Sequence, residues 1–377
     1  MTPPSTTGIR VSREDGTRLL LTDRLGIGGE GAVYRVDGMK LVAKLVVQPR
    51  DGARHLLRIR RLVNQGRSPR TSLLLGPSPR RAAWPLAVIR TEQDAISGFV
   101  MADMRTWYRP FESFLAAEQR RLSYPGATWA LALRAAASLA RLVADIHRED
   151  YVLGDLKADN LWLDETGRVG VSDVDSFQFT EGGDFFRCHV RTAGYTAPET
   201  IDAPEPAADE YGDRFALAVL LYQTLMAGVH PFFGVPADQP FTSIDDNVAH
   251  GRALIADPGS IRVPAATPSG DLLPAPLAEL FRRSFGDEGL REPRSRPSAA
   301  QWYQALGTSG APGALRRCPA PQRHWYPAQA RYCPWCELSE QGADYFPGPA
   351  ERPAGAGRGS GTAGYRPASD VSVEVAP

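Results

Sequence analysis

The sequence predicts an α+β chain in which strands come first, helices follow, and a short Cys/His-rich module closes the ordered part. Three observations predict it. Between Arg18 and Met104 the apolar residues fall in short, β-branched runs broken by Gly and Asp, the pattern of half-buried strands. From Thr128 to Arg148 they switch to a helical period, with Trp129, Leu131, Ala132, Ala135, Leu139, Leu142, Val143 and Ile146 on one stripe. Cys318, His324, Cys333 and Cys336 then lie close together beyond the last helical run.

Composition bounds the function. At 377 residues there is room for more than one domain, at roughly 150 residues each. Lys and Arg (43) balance Asp and Glu (43), so no net field points to nucleic acid or to a membrane surface. No apolar run approaches the ~18–20 residues of a membrane span. Met1 to Gly8 is polar with two prolines and shows no signal peptide. Four cysteines, three near the C-terminus, make no disulfide framework. The expectation is a soluble cytoplasmic protein with no nucleic-acid or membrane partner.

Residues 1–18 read as a lead-in. Arg18 to Asp23 reads as a strand that runs into Gly26-Ile27-Gly28-Gly29-Glu30-Gly31. Glycines in this spacing let the backbone approach phosphates. A dinucleotide-binding fold would place a helix directly after them. Here Ala32-Val33-Tyr34-Arg35-Val36 alternates as a strand, and Asp37-Gly38 turns into a further strand, Leu41 to Val47, carrying Lys44. The bland alternative for Lys44 is the solvent face of that strand. Arg54 to Asn64 has helical spacing, and its Arg54, Arg58, Arg60 and Arg61 read as a solvated face rather than a partner surface. From Gly52 to Thr91 there is no acidic residue. Ser68 to Pro79 reads as a long loop. Trp84 to Arg90 and Gly98 to Met104 read as a strand pair.

After the long helix, whose His147 reads as a packing residue, comes Asp155-Leu156-Lys157-Ala158-Asp159-Asn160. Asp173 follows thirteen residues past Asn160. A carboxylate to accept a hydroxyl proton, an amide and a second carboxylate for Mg²⁺, and a lysine for a phosphate are what phosphoryl transfer needs. A polar turn between two strands is the alternative. Further on stand Arg191-Thr192-Ala193-Gly194-Tyr195-Thr196-Ala197-Pro198-Glu199, an apolar helix opened by Asp213, and Arg296-Pro297 before a short helix, Ser298 to Leu306.

In this order the signals resemble those of eukaryotic-type Ser/Thr protein kinases, in a divergent bacterial branch. The resemblance implies a two-lobed fold, with a small β-rich lobe over 19–104 and a larger helical lobe over 105–306. It implies ATP held by Gly26, Gly28, Gly31, Val33 and Lys44, with Met101 at the back wall and the backbone near Asp103 at the adenine edge. Asp155 would be the catalytic base and Lys157 would offset charge on the transferred phosphoryl group. Asn160 and Asp173 would bind Mg²⁺. Thr192 would touch Asp155 and Lys157, which favours Ser/Thr over Tyr hydroxyls of protein substrates. Asp213 would grip the catalytic-loop backbone, and Glu199 would pair with Arg296.

There are departures from the family pattern. The helix at 54–64 lacks the Glu that normally holds the lysine, so Lys44 needs another carboxylate, such as Asp173, or sits more loosely. Gly154 stands where an Arg usually meets a loop phosphate, so switching by that phosphate is not expected. Asp173-Val174-Asp175 replaces Asp-Phe-Gly, with Phe177 placed to fill the space. These departures keep a second reading open, a pseudokinase acting as a nucleotide-binding scaffold.

The module at 307–340 has the spacing C-x5-H-x8-C-x2-C. Three thiolates and an imidazole suit a closed structural Zn²⁺ site. A redox role for Cys333-Pro334-Trp335-Cys336 would need a helix start after a strand, against which the local prolines argue. Trp325, Tyr326 and Trp335 would cover the site or meet a partner. The variant kinases that the sequence resembles carry a similar module. Residues 341–377, rich in Gly, Ala and Pro from Pro347, read as disordered.

Overall fold

The computed structural model describes residues 8–347, apart from 29–30, 47–51, 69–70, 72–79, 92–95, 202, 204–207 and 321–323. Six antiparallel strands form the first part: β1 (Ile9–Arg13), β2 (Arg18–Gly28), β3 (Gly31–Val36), β4 (Leu41–Val46), β5 (Ala87–Thr91) and β6 (Ile96–Ala102). Their order is β1-β2-β3-β4-β6-β5, and β1 pairs with β5 to close a barrel. β1 lies within the stretch read as a lead-in. Its Ile-Arg-Val-Ser-Arg sequence buries only Val11, too weak a stripe to show as a strand. β2 runs on past Asp23 to Gly28, with bulges between Leu21 and Gly26, which bend and twist a hairpin.

Val11, Leu19, Leu21, Val36, Ala43, Ala87, Ile89 and Val100 fill one core of this part. Val42, Val88, Phe99 and Met101 form another with Ile59 and Val63 of helix α1 (Gly52–Gln65). Gly98 allows β6 its register, since a Cβ there would collide with the Lys44 carbonyl. Most of the expected loop at 68–79 lies outside the described residues.

The second part is built on α2 (Trp129–Arg148) and α3 (Glu210–Leu225). Phe215 to Tyr222 of α3 are all buried, as befits the central helix of a helical layer. Trp129 Nε1 donates to the Leu225 carbonyl at 2.9 Å, joining the start of α2 to the end of α3. Helices α4 (Ala275–Phe285) and α5 (Ala299–Ser309) complete the layer, the latter opened by a Ser298/Gln301 capping box.

The Cys/His module is a strand pair, Leu315–Arg317 with Trp325–Pro327, followed by helix α6 (Pro334–Glu340). It packs on the helical part. Trp335 is buried against Trp129 and Phe346, with ring centroids 6.4 and 4.7 Å away. The expected disorder from 341 onward is therefore corrected for Tyr345 and Phe346. Arg120 donates to the Tyr345 carbonyl at 2.7 Å, and Phe346 is 2% exposed. Two aromatic rings have apolar area to bury; the Gly/Ala-rich run that lacks it begins later, and residues 348–377 lie outside the described chain.

Candidate active site

A small hairpin brings the key polar residues together. β7 (Leu161–Leu163) pairs with β8 (Val169–Val171), Leu161 opposite Val171. Asn160 just before β7 and Asp173 just after β8 thus become neighbours, and Ser172 N donates to the Asn160 carbonyl at 2.8 Å. β8 is pinned on its other side by residues 81–83, through Val171 N to the Arg81 carbonyl and Ala83 N to the Val171 carbonyl.

Asp155 has a nearly buried side chain, 3% exposed, and it is fully engaged. Lys157 Nζ lies 2.7 Å from Oδ2, and the Thr192 hydroxyl donates to Oδ1 at 2.6 Å. Lys157 also donates to Thr192 Oγ1 at 3.0 Å, and Asn160 Nδ2 donates to the Asp155 carbonyl at 2.9 Å. The loop's entry is fixed from α3. Asp213 accepts from Leu153 N at 2.8 Å and Gly154 N at 2.9 Å, and its Oδ2 lies 2.9 Å from His147 Nε2. His147, at the C-terminal end of α2, thus braces Asp213 through a polar contact rather than through packing. Glu199 and Arg296 form the anticipated pair at 2.7 and 2.6 Å.

Lys44 turns inward rather than to solvent. Its Nζ is 2.7 Å from Asp173 Oδ1 and 2.7 Å from Asp175 Oδ2. Burial acts to raise the Asp173 pKa, but the attraction and hydrogen bond of Lys44 outweigh it and hold the carboxyl below its ordinary value. Asp173 has φ of 58°, a left-handed backbone for a non-glycine residue. Ser176 braces it by donating from Oγ to the Asp173 carbonyl at 2.7 Å. Val174 and Phe177 are buried below it.

Gly26 and Gly28 lie on the β2–β3 hairpin, opposite Val33 and Gly31. Gly31 has a packing reason as well, because a Cβ there would collide with the Leu45 carbonyl. Met101 is buried beside Val42 and Phe99. Asp103 is different: its carboxylate is occupied by Arg105, at 2.8 Å from Nε and 2.9 Å from Nη2, and its backbone N–H donates to the Lys40 carbonyl. Its carbonyl accepts from Thr106 N at 3.0 Å, which leaves one lone pair for a ligand's edge.

The arginines of α1 correct the reading of a solvated face. Arg58 Nη2 donates to the Phe177 and Arg187 carbonyls at 2.9 and 2.7 Å, Arg54 to the Phe185 carbonyl at 2.7 Å, and Arg61 pairs with Asp184 at 3.4 Å. They clamp the hairpin of β9 (Phe179–Glu181) and β10 (Asp184–Phe186), which follows Asp173. The acceptors are mostly main-chain carbonyls, which leave no trace in a sequence pattern. Asp175 was also missed as a lysine partner. Its signal was the extra carboxylate of Asp173-Val174-Asp175 in a chain whose α1 has none.

Cys318, His324, Cys333 and Cys336 converge, with their ligand atoms within 4.8 Å of one another. Cys318 Sγ is 3.4 Å from Cys336 Sγ, and His324 Nδ1 is 3.4 Å from Cys336 Sγ and 3.6 Å from Cys333 Sγ. Four ligands around one Zn²⁺ would sit at roughly these separations, given bonds of ~2.0–2.3 Å. His324 Nε2 is held by the Phe346 carbonyl at 3.0 Å, which leaves Nδ1 as the ligand atom. Burial, then the neighbouring sulfurs, push the Cys336 thiol up to about 12, the cost that a bound cation removes. Cys333 does stand at the start of a helix, α6, contrary to the reading of the prolines. His324 and Cys318 crowd it there, so the cluster can hold a metal ion.

Residues 121–303 match the family model described as Protein kinase domain. Protein kinase YegI of Escherichia coli (strain K12) is 29% identical over 349 residues, covering 90% of this chain and 52% of that protein. Its counterpart in Escherichia coli O157:H7 is 29% identical over 331 residues, covering 85% and 49%. The chain thus spans about half the length of these curated relatives. G protein-coupled receptor kinase 2 of Drosophila melanogaster is 35% identical over only 97 residues, 26% of this chain and 13% of that one. Among solved structures, a rhoptry kinase from Toxoplasma gondii aligns with a TM-score of 0.50 over 81% of this chain and 84% of that one, at 14% identity, a likeness of fold alone. No helix among the described residues is long and apolar enough to cross a membrane. The fold is kinase-like, residues 121–303 match a protein kinase domain, the chain is similar to the YegI protein kinases over most of its own length, and a Cys/His cluster follows the matched region.

Proposed function

We propose that the chain is a cytoplasmic kinase that transfers the ATP γ-phosphate to Ser or Thr hydroxyls of protein substrates. The observation that carries this is the Asp155–Lys157–Thr192 triangle beside the Asn160/Asp173 hairpin. In this reading Asp155 orients the substrate hydroxyl and takes its proton as the oxygen bonds to phosphorus and the bond to ADP breaks. Lys157 offsets charge on the transferring group. Gly26, Gly28, Gly31 and Val33 cover the nucleotide, Lys44 contacts its phosphates, and Met101 backs the adenine. Asp173 and the Asn160 amide oxygen would hold Mg²⁺. They fit it, because Asn160 spends its Nδ2 on the Asp155 carbonyl, and carboxylate and amide oxygens suit a hard cation. When bound, that ion supplies positive charge to the phosphates.

The pseudokinase reading drew on an α1 without a carboxylate. Lys44 paired with Asp173 and Asp175 removes much of that support. We also assign the four C-terminal ligands to one structural Zn²⁺, with no open position for water. The test is transfer from radiolabelled ATP to a generic protein substrate, wild type against Asp155→Asn. Transfer by the wild type and loss of it in the variant is expected. No transfer by a protein that binds Mg-ATP favours the scaffold.

A further inference from the structure

Lys44 has two carboxylates, and their surroundings differ. The Asp173 side chain is 26% exposed and the Asp175 side chain 1%. A carboxylate this deeply buried is costly unless paired, and Lys44 Nζ at 2.7 Å is its partner. The backbone around Asp175 is fixed. It lies in the turn Val174–Ser176, Val174 is fully buried, and Arg58 grips the Phe177 carbonyl just beyond. α1 offers Lys44 no acidic side chain over Gly52–Gln65. It offers His55, whose buried Nε2 has no hydrogen-bond partner among the described residues and which feels the charges of Asp175 and Lys44.

We infer that Asp175 is the positioning residue for Lys44, holding the ammonium in place when Asp173 turns to a metal ion. The inference rests on the kinase reading above. Its consequence is that the lysine stays set whatever α1 does, because its anchor is two residues from the metal ligand and not on the helix. An ammonium left with Asp173 alone would compete with Mg²⁺ for that carboxylate.

The experiment uses the full chain. Asp175→Asn keeps the shape and removes the charge, and should raise KM and Kd for Mg-ATP by roughly 10- to 100-fold, the worth of one charge-assisted hydrogen bond. kcat should fall by less, and KM for the protein substrate should stay put. Restoring a carboxylate on α1, in Asp175→Ala/His55→Glu, should recover at least half of the lost affinity on a logarithmic scale. A purely structural role would not produce this split or this rescue. Amine-reactive labelling of wild type, with and without Mg²⁺ alone, reads the same point without a variant. Lys44 should stay protected in both. Asp175→Asn with wild-type KM, or Lys44 exposed to reagent by Mg²⁺, overturns the positioning role and leaves the kinase reading intact. Wild-type protein that binds no Mg-ATP overturns both.

Discussion

Gly154 precedes the proposed catalytic base and has φ of +73°. A Cβ there would lie 2.6 Å from both Cβ and Sγ of buried Cys188 and 3.2 Å from Ala208 Cβ. Gly154→Ala therefore carries two costs. The left-handed backbone costs an L-residue about 1–2 kcal/mol. Overpacking against Cys188 adds about 1–3 kcal/mol, since its Cβ cannot swing away as a long side chain would. The expected loss of stability is about 2–5 kcal/mol, read by urea denaturation with an unchanged m-value. Cys188→Ala removes only Sγ, so in the double variant it should recover about 1 kcal/mol as a coupling between neighbours. A Gly154→Ala protein within about 0.5 kcal/mol of wild type would refute the reasoning, as would strict additivity with Cys188→Ala. The same crowding leaves an Arg at this position no room. Phosphatase-treated protein should therefore keep its transfer activity, with the segment after Asp173 held by Arg54, Arg58 and Arg61 instead of a phosphate.

Mg-ATP should raise the melting temperature, and Asp173→Ala should remove most of that shift, as ligand linkage requires; equal shifts in the two proteins would count against the metal assignment. Metal analysis should find about one zinc per chain, lost in Cys333→Ser. Phe346→Ala should cost about 3 kcal/mol, because its ring covers Trp335 and its segment's carbonyl holds His324; a truncation after residue 306 should destabilise the helical part for the same reason. Arg296→Ala should cost about 3–5 kcal/mol by leaving Glu199 without its buried partner. Burial, against a hydrogen bond to the Gly194 carbonyl, lowers the His230 pKa to about 4 from 6.5. The unfolded chain then takes the proton first, so this stabilisation is complete above pH 6.5 and is lost as pH falls toward 4. The drop is at most about 3 kcal/mol, and His230→Gln should flatten it.

Much of the site was legible in the sequence because its parts obey local rules. Asp155, Lys157 and Asn160 share one short loop. Asn160 and Asp173 become neighbours through a tight hairpin whose strands are apolar and β-branched. The strand after Gly31 told a glycine-rich hairpin from the strand-to-helix turn of a dinucleotide fold, and the spacing from Cys318 to Cys336 told a closed cluster from scattered thiols. Each depends on residue type and separation along the chain, which a sequence states directly.

The tertiary structure decided the rest. That β1 closes the barrel depends on pairing with β5, nearly eighty residues away, and one buried valine does not announce it. Whether Lys44 met one carboxylate or two depended on the left-handed turn at Asp173, which swings Asp175 inward. The arginines of α1 looked like a solvated face because helical periodicity reports polarity and not the partner, and their partners are largely backbone carbonyls. Tyr345 and Phe346 looked like the start of a loose tail until Arg120, Trp335 and His324 were seen around them. A pattern along the chain shows what a residue can bury or pair; only packing in three dimensions shows what it meets.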